Sequence, residues 1–415
     1  MNLKKILFLF LFFSMFISAK AKEPEASYKL YGFVRSDWYL NSRQNVEALD
    51  GLFNILPKPR EIVNGEDVNS YPNSEMLSVS SRLGFDFTGT PLFGAKTSAK
   101  IECDFAGITS SYYLIRIRQA YLKLNWEETE LLVGQTWHPL YNNLQPITPA
   151  LSVGTPFQSF NRSPQIRVKQ NFTDNLSVLA TASYQMQYLT QGPYSTAANP
   201  SGASASYMKN GLLPSLHVGL DFKSQNFLAG VGVDGKSLLI NHVRLNSGAA
   251  VAYAAYTNKK FQVRAKSVLG QNMSEHLMIG GYGVNGTKKI SDVLTVDTYT
   301  NFNTSTSWLS FAYGSKVQVG LYGGFSKNLG TTTDLVLTPK KFVAYGYGFY
   351  QGNQLLLDQL YRVAPHITYN LPNFKLGCEY EYTAAKYGNI DYKGLISDPD
   401  IVKNHRISAT ISYIF

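Results

Sequence analysis

The sequence predicts an all-β fold, a transmembrane antiparallel β-barrel of about 16 strands with short turns at one rim and long loops at the other. Three observations lead to this prediction. The last ten residues alternate strictly between apolar and mostly polar side chains and end on an aromatic residue. Short and long connections alternate along the whole chain. No stretch after the amino-terminal segment has the 18 consecutive apolar residues that a membrane-spanning helix needs, which excludes a helical transporter.

The terminal strand, Arg406 to Phe415, places Ile407, Ala409, Ile411, Tyr413 and Phe415 on one face. A period of two indicates a strand with two different faces. The strand resembles the last strand of bacterial outer-membrane barrels, which the barrel insertion machinery reads, so Tyr413 and Phe415 are the candidate assembly signal. An ordinary strand of a secreted sandwich shares the alternation alone.

Sixteen segments show the period of two, and most have the nine or more residues that a tilted membrane strand requires. They are residues 28–40, 76–88, 94–105, 114–126, 130–137, 164–172, 176–189, 213–222, 226–238, 246–256, 261–271, 298–313, 317–326, 356–370, 374–387 and 403–415. Links after even-numbered strands are short, such as 173–175 and 371–373, whereas 41–75, 138–163, 190–212, 272–297, 327–355 and 388–402 are long. Loops segregated to one rim favour a membrane barrel over a sandwich.

Residues 1–21 are predicted to be a secretory signal peptide, with Lys4 and Lys5 before an apolar run and small residues at the cleavage site. Residues 22–415 are predicted to form a single barrel domain. The composition agrees, because 28 Tyr, 24 Phe and 33 Gly accompany only 16% charged residues. Cys103 and Cys378 fall on the outer face of strands too far apart to bridge, so both are expected to be free thiols.

Charged side chains must face a water-filled lumen, because a charge facing hydrocarbon near the bilayer centre costs roughly 2–4 kcal/mol. This rule makes cations more numerous than carboxylates on the predicted lumen face, which favours the passage of anions. The alternative is that the charges pair internally and brace the barrel. The predicted pore-lining residues are Arg35, Arg82, Lys100, Glu102, Asp104, Arg116, Arg118, Arg167, Arg362 and His366.

The connection 138–163 differs from an ordinary surface loop. Its stretch from His138 to Asn161 contains no Asp, Glu, Lys or Arg and has four prolines. Such a loop is expected to fold into the barrel as a constriction, the alternative being a plain surface loop.

Two glutamines, Gln119 and Gln135, fall on the predicted outer face of neighbouring strands. Lipid would leave their amides unsatisfied, so a subunit contact is predicted on this wall. A register error of one residue would exchange the faces and remove the argument.

Motifs of enzymes and nucleotide-binding proteins carry little weight here. Gly230 to Ser237 matches the phosphate-binding loop pattern but lies inside an alternating strand with no helical period after it. The six histidines show no metal-ligand spacing. The sequence therefore predicts no enzyme activity, no cofactor, no metal site and no nucleic-acid partner.

Six short stretches, in order, resemble DcaP-like trimeric outer-membrane porins, which are related to the phosphate-selective porins. They are Tyr31 to Asp37, Ser80 to Phe85, Lys100 to Phe105, Arg116 to Tyr121, Gly134 to Pro139 and Ser163 to Arg167. The resemblance implies sixteen strands, a homotrimer in the lipid of the bacterial outer membrane, and passive uptake of small hydrophilic, often anionic, solutes. A nonselective general-diffusion porin and a barrel acting as a surface receptor or adhesin are the alternatives.

Overall fold

The structure, a computed structural model, describes residues 26–106, 114–197, 199–337, 342–350 and 354–415. The predicted signal peptide lies outside these residues. The wall of the molecule is a single antiparallel sheet that closes on itself, because the first strand pairs with the last from Phe33↔Ile414 to Asn41↔Arg406.

Sixteen strand positions make up this wall, the second of which is interrupted. In chain order they are β1 (Ser27–Asn41), β6 (Asn73–Leu77) continued by β7 (Arg82–Leu92), β8 (Ala95–Asp104), β9 (Arg116–Asn125), β10 (Thr129–Trp137), β11 (Arg162–Asn171), β12 (Leu176–Ser183), β13 (Ser215–Lys223), β14 (Phe227–Ile240), β15 (Val243–Thr257), β16 (Phe261–Gln271), β18 (Leu294–Gly314), β19 (Val317–Thr331), β22 (Leu355–Asn370), β23 (Phe374–Ile390) and β24 (Ile396–Ile414).

The remaining elements belong to the long connections. The strands there are β2 (Asn45–Ala48), β3 (Phe53–Pro57), β4 (Ile62–Val63), β5 (Glu66–Asp67), β17 (Gly280–Ser291), β20 (Ala344–Tyr347) and β21 (Phe349–Tyr350). The helices are α1 (Pro139–Asn142), α2 (Ser206–Gly211) and a single 3₁₀ turn at Ser274–His276. None of the helices in the described ranges has the length and hydropathy needed to cross a membrane.

The predicted barrel is confirmed, with its even strand count and its segregated connections. Strand ends differ from the prediction in several places. The link predicted at 388–402 shrinks to residues 391–395, and β14 and β15 are joined by Asn241 and His242 alone. β17 and β18 form a long hairpin where a loop was expected. Cys103 and Cys378 are both free, as predicted.

Side chains alternate between two environments along each strand. In β24, Arg406 is 4% exposed and Asn404 is fully buried, whereas Ile407 and Ile411 are exposed on the outside. The inner side chains are buried because two connections fold into the lumen. Ile55 and Leu56 of the connection 41–75 pack with Leu140, Leu144 and Phe157 of the connection 138–163 and with Trp308 and Tyr322 of the wall. Phe53 packs against Phe160, with ring centroids 4.7 Å apart.

Candidate functional site: an arginine-lined cavity beside the pore loop

Residues 138–161, here called the pore loop, begin with α1 at the end of β10. Pro139 occupies the first helical turn, where its missing N–H costs nothing, and the side chain of His138 accepts from the N–H of Leu140. The other end of α1 is held by Lys266 of β16, whose ammonium group donates to the carbonyl of Leu140 and, at 2.8 Å, to Asn143 Oδ1. A cation at a helix carboxyl terminus is favourable because the last carbonyls have no partner within the helix.

The far end of the pore loop is fixed to the opposite strands. Trp308 Nε1 donates to Gln158 Oε1 at 3.0 Å, and the hydroxyl of Tyr322 donates to the carbonyl of Gly154 at 2.9 Å. Arg362 Nη1 donates to the carbonyl of Thr155 at 3.0 Å. The middle is held as well, since Arg35 Nη2 donates to the carbonyl of Pro149 at 2.9 Å. Strands β1, β16, β18, β19 and β22 therefore hold the pore loop across the lumen.

An open space of about 350 Å³ remains between the pore loop and the wall of β1, β7, β8 and β9. We call it the arginine cavity. Five cationic side chains face it: Arg35, Arg82, Arg116, Arg118 and Lys375. Its other lining is aromatic, and includes Phe33, Phe53, Trp137, Tyr141 and Phe160. The cavity thus combines fixed positive charge with apolar walls, which strengthen the electric field of the charges.

Carboxylates neutralise some of these cations. Asp104 binds Arg116 at 2.8 Å and Arg118 at 2.6 Å, and Glu102 binds Arg118 at 2.9 Å. Arg35 pairs with Asp37 at 2.5 Å. Three carboxylates therefore serve five cations, which leaves an excess of two positive charges.

Among the four arginines of the cavity, Arg82 has the weakest ion pair. Its guanidinium lies 3.7 Å from Glu102 and 4.9 Å from the centre of the Phe33 ring, and its buried Nε has no hydrogen-bond partner within the described chain. A separation of 3.7 Å is too long for a hydrogen bond. The Arg82 side chain is 20% exposed, so its outer amino groups can meet a passing solute.

The aromatic side of the cavity is rigid. The rings of Trp137 and Tyr141 stack with centroids 3.7 Å apart, and Phe160 meets Trp137 edge-on at 4.9 Å. Burial raises the pKa of Tyr141 to about 12, so its hydroxyl stays neutral. These side chains can support an apolar part of a solute without adding charge.

No protein-family model matches this sequence, and no curated protein matches it. Solved structures do. The outer-membrane channel DcaP of Acinetobacter baumannii has a TM-score of 0.67 at 18% identity, over 96% of this chain and 100% of that chain.

The chain has the outer-membrane porin fold.

Two further porins share this fold at lower similarity. An anion-selective porin from Comamonas acidovorans has a TM-score of 0.53 at 9% identity, over 94% of this chain and 100% of that one. OmpF of Salmonella typhi, in complex with daunomycin, has a TM-score of 0.54 at 11% identity, over 94% of this chain and 97% of that one. At these identities the likeness establishes the porin barrel fold.

Within the porin barrel, five of the predicted pore-lining residues meet at one place. Arg35, Arg82, Arg116, Arg118 and Asp104 line the arginine cavity, and Glu102 lies directly behind it. Sequence reasoning placed them together because their strands become neighbours when the barrel closes.

Four other predicted pore-lining residues lie outside the cavity. Lys100 binds Asp86 at 2.9 Å, and Arg167 Nη2 donates to the carbonyl of Trp137 at 2.5 Å. Arg362 is buried against the pore loop, and His366 is buried with Nδ1 3.7 Å from Glu379. All four side chains have partners inside the protein. For these residues the structure agrees with the alternative given above, in which charged side chains pair internally and stabilise the barrel.

The assignment of Gln119 to the outer face is wrong. The pairing of β8 with β9 shifts from Glu102↔Gln119 to Cys103↔Ile117, so Arg118 is the extra residue of a β-bulge. The shift turns Gln119 inward, where the hydroxyl of Thr136 donates to its Oε1 at 2.7 Å. Strict period-two counting from Arg116 misses the bulge, although the polar positions change from even, at Arg116 and Arg118, to odd, at Gln119 and Lys123.

Gln135 remains on the outer side, but its amide is satisfied within the same chain. Its Nε2 donates to the carbonyls of Ile117 and Arg118, at 3.1 and 3.3 Å. The side chain closes the backbone gap that the bulge opens. Gln135 therefore does not require a neighbouring subunit.

Sequence reasoning missed the aromatic lining and a group of buried histidines. His138, His217 and His276 come together near Asp234, whose Oδ2 lies 3.5 Å from both His138 Nε2 and His217 Nδ1. Burial lowers the pKa values of His138 and His276 well below their ordinary range. Within the described ranges no three His, Cys, Asp or Glu side chains are arranged to hold a metal ion. The group instead fastens both ends of the pore loop, since Ser159 Oγ lies 2.9 Å from His276 Nδ1.

Proposed function

We propose that this porin allows passive diffusion of small hydrophilic solutes across the bacterial outer membrane and prefers anionic ones. The observation that carries the proposal is the excess of two positive charges in the arginine cavity, together with the partly exposed and weakly paired guanidinium of Arg82. Guanidinium groups can replace part of the hydration shell of a carboxylate or phosphate through paired hydrogen bonds. Several weak contacts in sequence make a path from which the anion can leave.

The pore loop is the proposed constriction. Its polar atoms at the cavity are uncharged, so it narrows the passage without opposing either sign of ion. Selectivity then depends on the wall of β1, β7, β8 and β9, where the arginines are fixed by the sheet.

A nonselective porin and a surface receptor or adhesin remain the competing functions. The long hairpin of β17 and β18 favours the receptor, because its tip exposes Val293 almost completely. Reconstitution of the purified protein in planar bilayers distinguishes the three. Large open steps with a reversal potential on the anion side in a salt gradient support the proposal. A reversal potential near zero indicates a nonselective pore, and absent conductance indicates a receptor.

Three partners belong to this proposal. A homotrimer is supported by the resemblance and by an in-vitro folded OmpT of Vibrio cholerae, described in its trimer form, which shares the fold with a TM-score of 0.51. Outer-membrane lipid would surround the exposed aromatics, such as Tyr413 and Phe374 with rings 5.0 Å apart. The barrel insertion machinery would read the end of β24 with Tyr413 and Phe415.

A further inference from the structure

The outer wall of β22, β23 and β24 carries aromatic and cationic side chains towards the end that bears the long loops. We call this group the outer lysine patch, and it consists of Tyr361, Tyr380, Tyr382, Lys386, Lys403 and His405. Their neighbours in sequence, Arg362, Glu381 and Arg406, are buried inside the barrel. Because side chains alternate along a strand, the patch faces outward.

The two lysines are close neighbours on adjacent strands. Lys386 pairs with Ile401 and Lys403 pairs with Ala384, so the lysines are diagonal neighbours in the sheet. Diagonal neighbours in a sheet are within reach of each other's long side chains. A single anionic group between them could therefore contact both.

Tyr380 and Tyr382 lie on the periplasmic side of the lysines, whereas Tyr361, which pairs with Ala384, lies level with Lys403. The rings of Tyr361 and Tyr382 lie 6.2 Å apart, and Tyr382 lies 5.3 Å from the imidazole of His405. The hydroxyl of Tyr380 lies 2.8 Å from His405 Nδ1. Aromatic rings with polar ends are enriched where hydrocarbon meets headgroups.

The height of the patch can be derived from the strands. A membrane strand tilted by about 40° rises roughly 2.6 Å along the barrel axis per residue. Phe374 and Tyr413 mark the periplasmic aromatic girdle. Lys386 and Lys403 are twelve and ten residues beyond them, so they lie roughly 26–31 Å higher. The apolar band of such a barrel is about 25 Å tall, which places the lysines in the headgroup layer of the outer leaflet.

Their charge is not neutralised by the protein. Within the described chain neither lysine has a carboxylate within ion-pair distance, and the nearby Asp400 binds Arg60 at 3.1 Å. Lys327, on the neighbouring β19, is paired with Asp358. A lysine pair facing lipid headgroups without an acidic partner is complementary to phosphate.

We propose that the outer lysine patch binds the phosphate groups of an anionic lipid in the outer leaflet, with the tyrosines packing against the lipid below. The inference requires the barrel to lie in the outer membrane and does not depend on the solutes that pass through it. It assigns a lipid site to one side of the wall, where Lys386 and Lys403 hold the phosphate.

The first test uses the unmodified full chain, refolded in detergent and examined by native mass spectrometry. Diphosphoryl lipid A should remain bound at concentrations at which fully dephosphorylated lipid A, which has the same acyl chains and no phosphate, is largely lost. Equal retention of the two lipids would overturn the proposal. Inorganic phosphate in large excess should not displace diphosphoryl lipid A, and displacement would mean that the patch takes free anions instead.

The second test uses the variant Lys386→Gln/Lys403→Gln. Each lysine near a charged lipid surface contributes roughly a fivefold increase in binding affinity. The double variant should therefore bind diphosphoryl lipid A at least about fivefold more weakly than the parent. The control Lys288→Gln/Lys393→Gln removes the same charge from the exposed extracellular connections and should bind as the parent does. Equal binding by the double variant and its control would refute the site. If the double variant does not refold, the comparison of the two lipids on the parent protein still decides.

Discussion

Arg118 Nη1 lies 2.6 Å from Asp104 Oδ2, and Arg116 Nη2 lies 2.8 Å from the same oxygen. One carboxylate thus neutralises two arginines that line the cavity. Arg116 and Arg118 share the inward face of β9 because they are two residues apart, and the β-bulge adds Gln119 to the same face. The charge of the cavity therefore depends strongly on Asp104.

Asp104→Asn should increase anion selectivity. The substitution keeps the shape of the side chain and raises the excess positive charge of the cavity by one. The reversal potential in a salt gradient should move further to the anion side. Losing a buried ion-pair partner should also lower the stability of the barrel, by about 3 kcal/mol. Asp221→Asn, at a lumen carboxylate that binds Tyr253 outside the cavity, is the control and should leave selectivity unchanged. An unchanged reversal potential in Asp104→Asn would mean that ions do not pass these arginines.

Arg362→Met should loosen the pore loop. The guanidinium donates to the carbonyls of Thr155 and Asn54, at 3.0 and 2.6 Å, and lies 3.3 Å from Glu381. Removing it leaves a buried carboxylate unpaired, which costs about 3–5 kcal/mol. Single-channel conductance and open-channel noise should both rise. Arg244→Met removes a comparable anchor, to the carbonyl of Gly211 in another connection, and should not change the conductance. Parent-like traces from Arg362→Met would show that the pore loop does not limit the current.

Acid should also release the pore loop. Burial lowers the pKa of His138, and Asp234, His217, His276 and Arg167 are the charged or titratable groups that act on it. Because the folded pKa lies below the unfolded value of 6.5, the neutral imidazole stabilises the fold above that pH, and this stability is lost as the pH falls below about 6.5. In planar-bilayer recordings, channel closures and stepwise changes in conductance should therefore become more frequent as the pH is lowered from 6.5 to 4.5. His138→Gln should weaken this dependence, whereas His242→Gln, at an exposed link, should retain it. Identical pH profiles for all three proteins would contradict the expectation.

Deleting Phe415 should prevent assembly in the outer membrane. The last residue exchanges two backbone hydrogen bonds with Gly32, both 3.1 Å long, and a Cβ on Gly32 would meet the Phe415 ring at 2.9 Å. The deletion removes the final closing contact of the barrel as well as the aromatic end. Secretion should continue, but no heat-modifiable barrel should appear on gels. Phe415→Trp keeps an aromatic end and should assemble. Normal assembly of the deletion variant would refute the assigned role.

The sequence predicted the barrel well because each strand carries its own signal. Alternation in β24 and β8 and the turns after Asn171 and Asn370 are local features, so they could be read without knowing the fold. The same parity brought Arg35, Arg82 and Arg116 together, since those strands adjoin once the barrel closes.

The rest depends on contacts between distant residues. The bulge at Arg118 changes the face of every later residue of β9, and its mark in the sequence is only the pair of consecutive polar residues Arg118 and Gln119. The contact between Phe53 and Phe160 joins two connections that are far apart in the sequence. Nothing in either segment alone predicts that they meet. Arg362 and His366 are buried because these connections fill the lumen. The two side chains therefore have structural contacts inside the protein and do not line the open cavity.

Arg82→Glu is the most direct test of the arginine cavity. The substitution changes the local charge by two units at the arginine of the cavity with the weakest ion pair, 3.7 Å from Glu102. Lys288→Glu makes the same change on the exposed hairpin of β17 and β18, where bulk salt screens charges over roughly 8–10 Å. The measurement is the reversal potential in a salt gradient, recorded for the parent and both variants, together with the flux of a small dicarboxylate. The account predicts that Arg82→Glu lowers the anion-to-cation permeability ratio and slows the flux, while Lys288→Glu changes neither. A parent-like ratio and flux in a normally assembled Arg82→Glu protein would contradict it.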